Sequence, residues 1–290
     1  MSFCQEAKTE IAAVSESACC RDAKLCAALW LGTKQSADKI TLRTESTALY
    51  SFIEQAVKER FSITPTVKIT KTVKGFFYNL DILNPEPIYA AYGLGPMGKP
   101  DRRFLHKDCC RTAFLRGAFL GAGRITDPQK SYQMEFIVRD AQAAYSLSLF
   151  LAEIGYPAAM ADRGNRFLCY YRDSESMEDL LSLMGATSCA FALMNTKIEK
   201  DVRSSINRQG NCDAANADKQ VEAAHAQLAD IKALISIGLF PRLPAEVKEC
   251  AQLRLDNPEL SLAEIGAKCM PPVSKSAVAR RLKKLKDYLK

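Results

Sequence analysis

The chain has 290 residues, 48% of them hydrophobic and 25% charged, with 40 Lys and Arg against 33 Asp and Glu for a net charge of +7. That length is about twice an ordinary domain, so two domains are expected, each able to bury its own core. No run of eighteen residues is free of charge, which excludes a membrane-spanning helix, and two histidines, His106 and His225, are too few for most zinc sites and acid–base relays.

The first twenty residues carry Glu6, Lys8, Glu10 and Glu16 and no apolar signal-peptide core, so a cytoplasmic location is expected. Eleven cysteines, an odd number with no C-x-x-C pair, read as reduced and mostly buried thiols rather than as a disulfide framework. The segment Cys19-Cys20-Arg21-x-Ala23-x-Leu25 recurs as Cys109-Cys110-Arg111-x-Ala113-x-Leu115, an offset of 90 residues. Each copy continues in parallel: a helix rich in small residues, a strand (39–44; 133–138), an amphipathic helix (47–61; 141–154), a β-hairpin and a closing helix (86–92; 176–184). The hairpins span 66–81, turning at Lys74-Gly75, and 158–172, turning at Gly164-Asn165. The pattern predicts an α+β first domain over 1–207, made of two α-β-α-β-β-α repeats (about 19–95 and 109–185) related by a pseudo-twofold axis.

In the first helix of each repeat, small residues fall four apart: Ala28 and Gly32, then Gly117 and Gly121. Two helices lined this way can approach closely, because no side chain holds the backbones apart; the alternative is that these residues merely lie under a sheet. On the strands, Lys39, Thr41 and Arg43 share one face, and Lys68, Thr70, Thr72 and Lys74 do the same in the hairpin, an acid-free basic surface suited to a phosphate backbone or simply to solvent.

A polar helix over 187–207 is expected to break at Arg208-Gln209-Gly210-Asn211-Cys212-Asp213, making 208–217 a linker. Beyond it, helices at 218–237, 245–255, 261–269 and 274–289 predict an all-α domain over 218–290. Residues 242–290 carry eleven Lys and Arg against six Asp and Glu, which points to a polyanionic partner. Ser261-Leu-Ala-Glu264 fits a capping box opening a short helix, and a tight Met270-Pro-Pro-Val273 connection leads into Ser274-Lys275-Ser276 and a basic last helix. Short helix, turn and basic helix are the layout of a helix-turn-helix, with Ser274, Lys275 and Ser276 near base edges, Arg281, Lys283 and Lys284 near phosphates, and Arg280, one turn after Ser276, within reach of either. The competing reading of the same charges is a solvated terminal helix.

Gly93-x-x-x-x-Gly98-Lys99 lacks the Ser or Thr of a phosphate-binding loop, since Pro100 stands there, and reads as the connection between repeats. The vicinal cysteines near His106 are not expected to hold a metal, because sequence neighbours seldom converge on one ion. Nothing places His225 beside a cysteine, so no Cys–His nucleophile pair is expected.

Leu25-Cys-Ala-Ala-Leu-Trp-Leu-Gly-Thr33 and Leu115-Arg-Gly-Ala-Phe-Leu-Gly-Ala-Gly123 look like two degenerate LAGLIDADG motifs, the paired helices of homing endonucleases. With 207–216 and the Ser274-Lys275-Ser276 helix, the whole chain resembles the bacterial WhiA family of sporulation and cell-division regulators. The resemblance implies a transcription regulator whose C-terminal domain is similar to region four of sigma factors. It also implies double-stranded DNA as partner, an RNA polymerase sigma factor as a candidate protein partner, a nucleoid-associated place in the cytoplasm, and no cofactor or small-molecule substrate. Active endonucleases hold their metal on an acid at the eighth motif position; Gly32 and Ala122 stand there, so neither nuclease activity nor a metal is expected. Lys39, Arg43, Lys68, Lys74 and Arg208 are candidate secondary DNA contacts. The alternatives are a nuclease using other carboxylates, such as Asp22, Asp38 or Asp127, and a sequence-nonspecific chromosome-associated protein.

Overall fold

The computed structural model describes residues 2–72, 75–96, 98–164 and 166–289; Lys74 and the tip residue Asn165 lie outside them. The sequence pattern does not announce the first helix, α1 (Phe3–Ala13), because only Ala7 and Ile11 of it are buried. A capping box fixes its start: the Ser2 hydroxyl accepts from the Gln5 amide while the Gln5 side chain accepts from the Ser2 amide.

The first repeat runs α2 (Ala18–Gly32), β1 (Thr33–Gln35), β2 (Lys39–Thr44), α3 (Thr47–Phe61), β3 (Thr66–Thr72), β4 (Gly75–Leu83) and α4 (Glu86–Tyr92). The second runs α5 (Asp108–Ala122), β5 (Gly123–Ile125), β6 (Met134–Val138), α6 (Ala141–Glu153), β7 (Ala159–Asp162), β8 (Phe167–Tyr171) and α7 (Ser174–Met184). Each repeat thus has one strand more than expected, α-β-β-α-β-β-α, because β1 and β5 are three residues long and too short to alternate visibly. Both sheets are antiparallel and share one order, β1-β2-β4-β3 and β5-β6-β8-β7. Alternation sends Ile40 and Leu42 inward beside Ile82 and Leu80, and one core runs through both repeats.

The repeats meet along α2 and α5 as the small residues foretold. A Cβ on Gly117 would lie 2.0 Å from the Lys24 carbonyl oxygen, and one on Gly32 would lie 2.8 Å from the Gly121 Cα. Backbones this close require glycine. Beside this crossing, the Glu16 carboxylate lies 3.5 Å from Lys24 Nζ and 2.8 Å from Arg116 Nη1. Lys24 also donates to the carbonyls of Ile11 and Ala12, and Arg116 to that of Met184, so the buried charges tie α1, α2, α5 and α7 together. Burial pushes the Lys24 ammonium below its usual pKa, with Glu16 opposing.

The chain divides into two compact units, 1–200 and 201–290. The division falls inside α8 (Thr187–Ser236), and the expected helix break at 208–213 and linker at 208–217 are not there. A lone helical glycine costs only about 1 kcal/mol against alanine, and no proline removes a helix hydrogen bond. The helix ends instead at Gly238, whose positive φ of 72° accompanies a Leu239 amide bond to the Leu234 carbonyl. Residues 201–223 are exposed on every side, whereas Cys189 and Leu193 belong to the first core, and Ile231 and Leu234 to the second.

The second unit continues with α9 (Ala245–Asp256), α10 (Leu262–Lys268) and α11 (Lys275–Lys283). The expected last helix is α-helical only to Lys283 and tightens to a 3-10 turn over Lys284–Tyr288, which suits the burial of Leu282 and Leu285 three residues apart. Among the described residues no helix is long and apolar enough to cross a membrane.

Candidate nucleic-acid interface

In the second unit, α10 begins at the anticipated capping box, Ser261 and Glu264 exchanging hydrogen bonds at 3.3 and 2.7 Å. Gly266 permits the turn that follows. The Val273 amide donates to its carbonyl at 2.9 Å, and a Cβ on it would stand 2.3 Å from the Val273 oxygen. Arg254, 2% exposed, supports the same corner from α9, donating to Gln227 and to the carbonyls of Pro258 and Leu260. The turn delivers Ser274 as the cap of α11, its hydroxyl accepting from the Ala277 amide.

Val278, Leu282 and Leu285 face the core, which leaves Ser274, Lys275, Ser276, Arg280, Lys283 and Lys284 exposed. Lys275 borders a groove of about 1000 Å³ between α10 and the part of α8 that belongs to this unit. Arg281 departs from the expectation. It lies 2.9 Å from the Glu246 carboxylate and points onto Cys250 of α9, so it braces the domain instead of standing free for a phosphate. Arg208 is exposed on α8.

In the first unit, Lys39, Arg43 and Lys68 are exposed on the outer face of the first sheet, joined by Lys34 of β1, which pairs with Thr41. That face is not acid-free. Strand β4 lies between β2 and β3, so Asp81 falls between Thr41 and Thr66 and accepts from the Thr41 hydroxyl at 2.7 Å. Alternation along β2 and β3 assigned their faces correctly but left out β4, whose Asp81 shares that face. At the C-terminal ends of α2 and α5 a cleft of about 760 Å³ is lined by Gly32, Gly121 and Ala122. Lys8, Arg43, Arg124, Arg139 and Arg166 also line it, against Glu45 and Glu135. Lys8 reaches from α1 to donate to the Leu120 carbonyl at 2.9 Å, and burial lowers its pKa. The Lys8 side chain therefore stands beside the two positions where a nuclease would carry carboxylates.

The other acids considered are engaged locally: Asp22 with Arg60 at 3.1 Å and the Tyr92 hydroxyl at 3.0 Å, Asp38 with Ser36, and Asp127 with the Gln129 amide.

At the opposite ends of α2 and α5 the two vicinal cysteine pairs meet, with the sulfurs of Cys19, Cys20, Cys109 and Cys110 all within 4.8 Å of one another. Sequence neighbours seldom converge, but these do, because each pair supplies two sulfurs and the repeat supplies the other pair. Hydrogen bonds, the largest from the Ser17 hydroxyl, bring the Cys19 thiol down to about 7. Burial raises Cys20, and pushes Cys110 up to about 12.

Residues 206–289 match the family model described as the WhiA C-terminal HTH domain, and residues 111–203 the one described as the WhiA LAGLIDADG-like domain. The chain is 33% identical over 304 residues to the probable cell division protein WhiA of Heliobacterium modesticaldum, spanning 99% of this chain and 95% of that one. The chain belongs to the WhiA family. A second member, the probable cell division protein WhiA of Desulforamulus reducens, is 34% identical, with 98% and 94% covered. The crystal structure of full-length DUF199/WhiA from Thermatoga maritima shares the fold at 20% identity and a TM-score of 0.62, covering 98% of this chain and 96% of that one. The N-terminal LAGLIDADG domain of DUF199/WhiA alone superposes with a TM-score of 0.52 at 16% identity, over 63% of this chain and 92% of that one.

Sequence reasoning singles out the exposed α11 residues because they sit in one short segment. It missed Lys8, Arg124, Arg139 and Arg166, which come from separate elements and converge only through the repeat; Lys8 lies on a helix with no clear period.

Proposed function

We propose that this WhiA-family chain is a sequence-specific DNA-binding regulator of transcription in cell division or sporulation, and that it does not cleave DNA. The observation that carries this is the end of α11, where Ser274, Lys275 and Ser276 are exposed on a helix start held by a capped helix and a packed turn. A helix presented in this way enters the major groove N-terminus first, so these side chains meet base edges while Arg280, Lys283 and Lys284, further along, meet phosphates. The cationic cleft of the first unit supports a second, sequence-independent contact with the backbone. The regulatory role and the candidate sigma-factor partner rest on family resemblance, and binding of this kind would place the chain on the nucleoid.

The absence of cleavage rests on Gly32 and Ala122, which have no group to hold a metal, and on Lys8, whose side chain takes up room in the same cleft and supplies no carboxylate. The test pairs two assays: affinity for a duplex selected from a random-sequence pool against its scrambled version, and incubation of supercoiled plasmid with Mg²⁺ or Mn²⁺. Clear preference for the selected duplex and intact plasmid are expected. Equal affinity for both duplexes would favour a nonspecific chromosome-associated protein. Nicking that persists in a variant lacking Asp22, Asp38 and Asp127 would overturn the chemistry.

A further inference from the structure

We propose that Cys19, Cys20, Cys109 and Cys110 form a four-thiolate site for a single divalent metal ion, of which zinc is the class that fits. The four sulfurs lie within 4.8 Å of one another, and Cys109 and Cys110 are 4.0 Å apart. Zinc–sulfur bonds of about 2.3 Å in a regular tetrahedron put sulfurs about 3.8 Å apart, so the ligand set needs little adjustment. A sulfur cage this tight surrounds one ion; an iron–sulfur cluster, whose cysteines bind different irons, needs a wider one. All-sulfur tetrahedral ligation selects zinc among the abundant divalent ions, whereas magnesium and calcium require oxygen.

The surroundings suit thiolates. Each pair lies in the first turn of a central helix, and neither Ser17 before α2 nor Lys107 before α5 caps its helix with a side chain. The free amide ends of two helices therefore point toward the sulfurs, and Lys107 adds positive charge near Cys19. Binding takes all four sulfurs as thiolates, releases to solvent the protons the thiols still hold and leaves a site of charge −2, which those helix ends offset. Cys20 and Cys110 are buried, at 6% and 5% exposure, while Cys19 and Cys109 are exposed. The buried pair closes the site from inside and the exposed pair leaves the ion a route in.

With four protein ligands and no open position, such a site is structural. It stands apart from the cleft at Gly32 and Ala122: each central helix is 15 residues long, which separates its ends by roughly 20 Å. The ion would pin the starts of α2 and α5 where the glycine contacts between them have ended.

The test uses the full chain purified under reducing conditions. One zinc per chain by plasma mass spectrometry is expected, falling to none in Cys20→Ser/Cys110→Ser and unchanged in Cys4→Ser/Cys212→Ser. Because the buried double variant can lose its fold, the unaltered chain is also stripped and titrated with Co²⁺. Strong thiolate-to-cobalt charge transfer and intense tetrahedral d–d bands should saturate at one equivalent and vanish on adding zinc. Chelation should make four further thiols reactive toward a disulfide reagent. A metal-free chain that gives only weak octahedral cobalt absorption overturns the proposal, as does a chain from reducing conditions with these cysteines in disulfides.

Discussion

The two units hold their shape by different means. The first depends on interactions that tolerate no adjustment: backbones in contact through Gly117, Gly32 and Gly121, and a carboxylate sealed between Lys24 and Arg116. The second depends on local devices, a capping box, one glycine in a turn and an arginine on three acceptors, and among the described residues it leaves most of the α11 cations exposed. Rigidity and recognition are therefore separable. Substitutions at the centre of the first unit should change stability far more than sequence preference, and substitutions on α11 should do the reverse.

The largest effect is expected at Glu16. Glu16→Gln keeps the shape but leaves Lys24 and Arg116 buried without their countercharge, which should cost about 3 to 5 kcal/mol. Urea unfolding of the full chain, followed by a signal from the first unit, measures it. A loss below 1 kcal/mol would mean that water reaches the network and that the first unit is less sealed than its geometry.

Gly117→Ala comes next. Its new methyl would fall 2.0 Å from a backbone oxygen, which cannot move as a side chain can, so α2 and α5 must separate. Overpacking of this kind costs about 1 to 3 kcal/mol, and more where backbone must shift. Gly210→Ala is the control, since nothing lies within 4 Å of its added Cβ and it should stabilise α8 slightly. Equal effects at the two glycines would remove the argument for a close helix pair.

How much of this was legible beforehand follows the same division. Periodicity and repetition gave the repeats, the sheet strands from Lys39 to Thr44 and the helix from Thr47 to Phe61, because those segments carry their burial pattern in adjacent residues. Helix α11 was legible for the same reason. What stayed hidden was made by convergence: Lys8 arriving from an unrecognised helix, and four thiols assembled from two repeats. Helix α8 runs on through Gly210, because a glycine among polar residues permits a turn without requiring one.

Within α11, Lys275→Ala should leave the second unit folded, since the side chain is exposed, and should relax preference for the selected duplex by about 1 to 3 kcal/mol while scrambled DNA is bound almost as before. Unchanged discrimination would move base reading away from this helix start, toward the first unit's cleft.

The smallest effect decides the most specific point. Lys284 and Arg281 have similar charge and lie three residues apart, and sequence alone assigns both to phosphates. In the structure Lys284 is exposed, while Arg281 is held at 2.9 Å from Glu246. Each phosphate contact releases about one counterion, so Lys284→Ala should flatten the dependence of log affinity on log salt by roughly 0.9, equally for selected and scrambled duplexes, with no change in stability. Arg281→Ala should leave that slope alone and instead lower the stability of the second unit only slightly, because Glu246 is largely exposed and the pair is screened. Glu246→Gln separates the possibilities further: if the ion pair restrains Arg281, releasing it should steepen the salt slope by freeing a cation for the backbone. A slope that falls with Arg281→Ala as much as with Lys284→Ala would show that DNA draws Arg281 off Glu246, and that the division between bracing and binding residues does not survive complex formation.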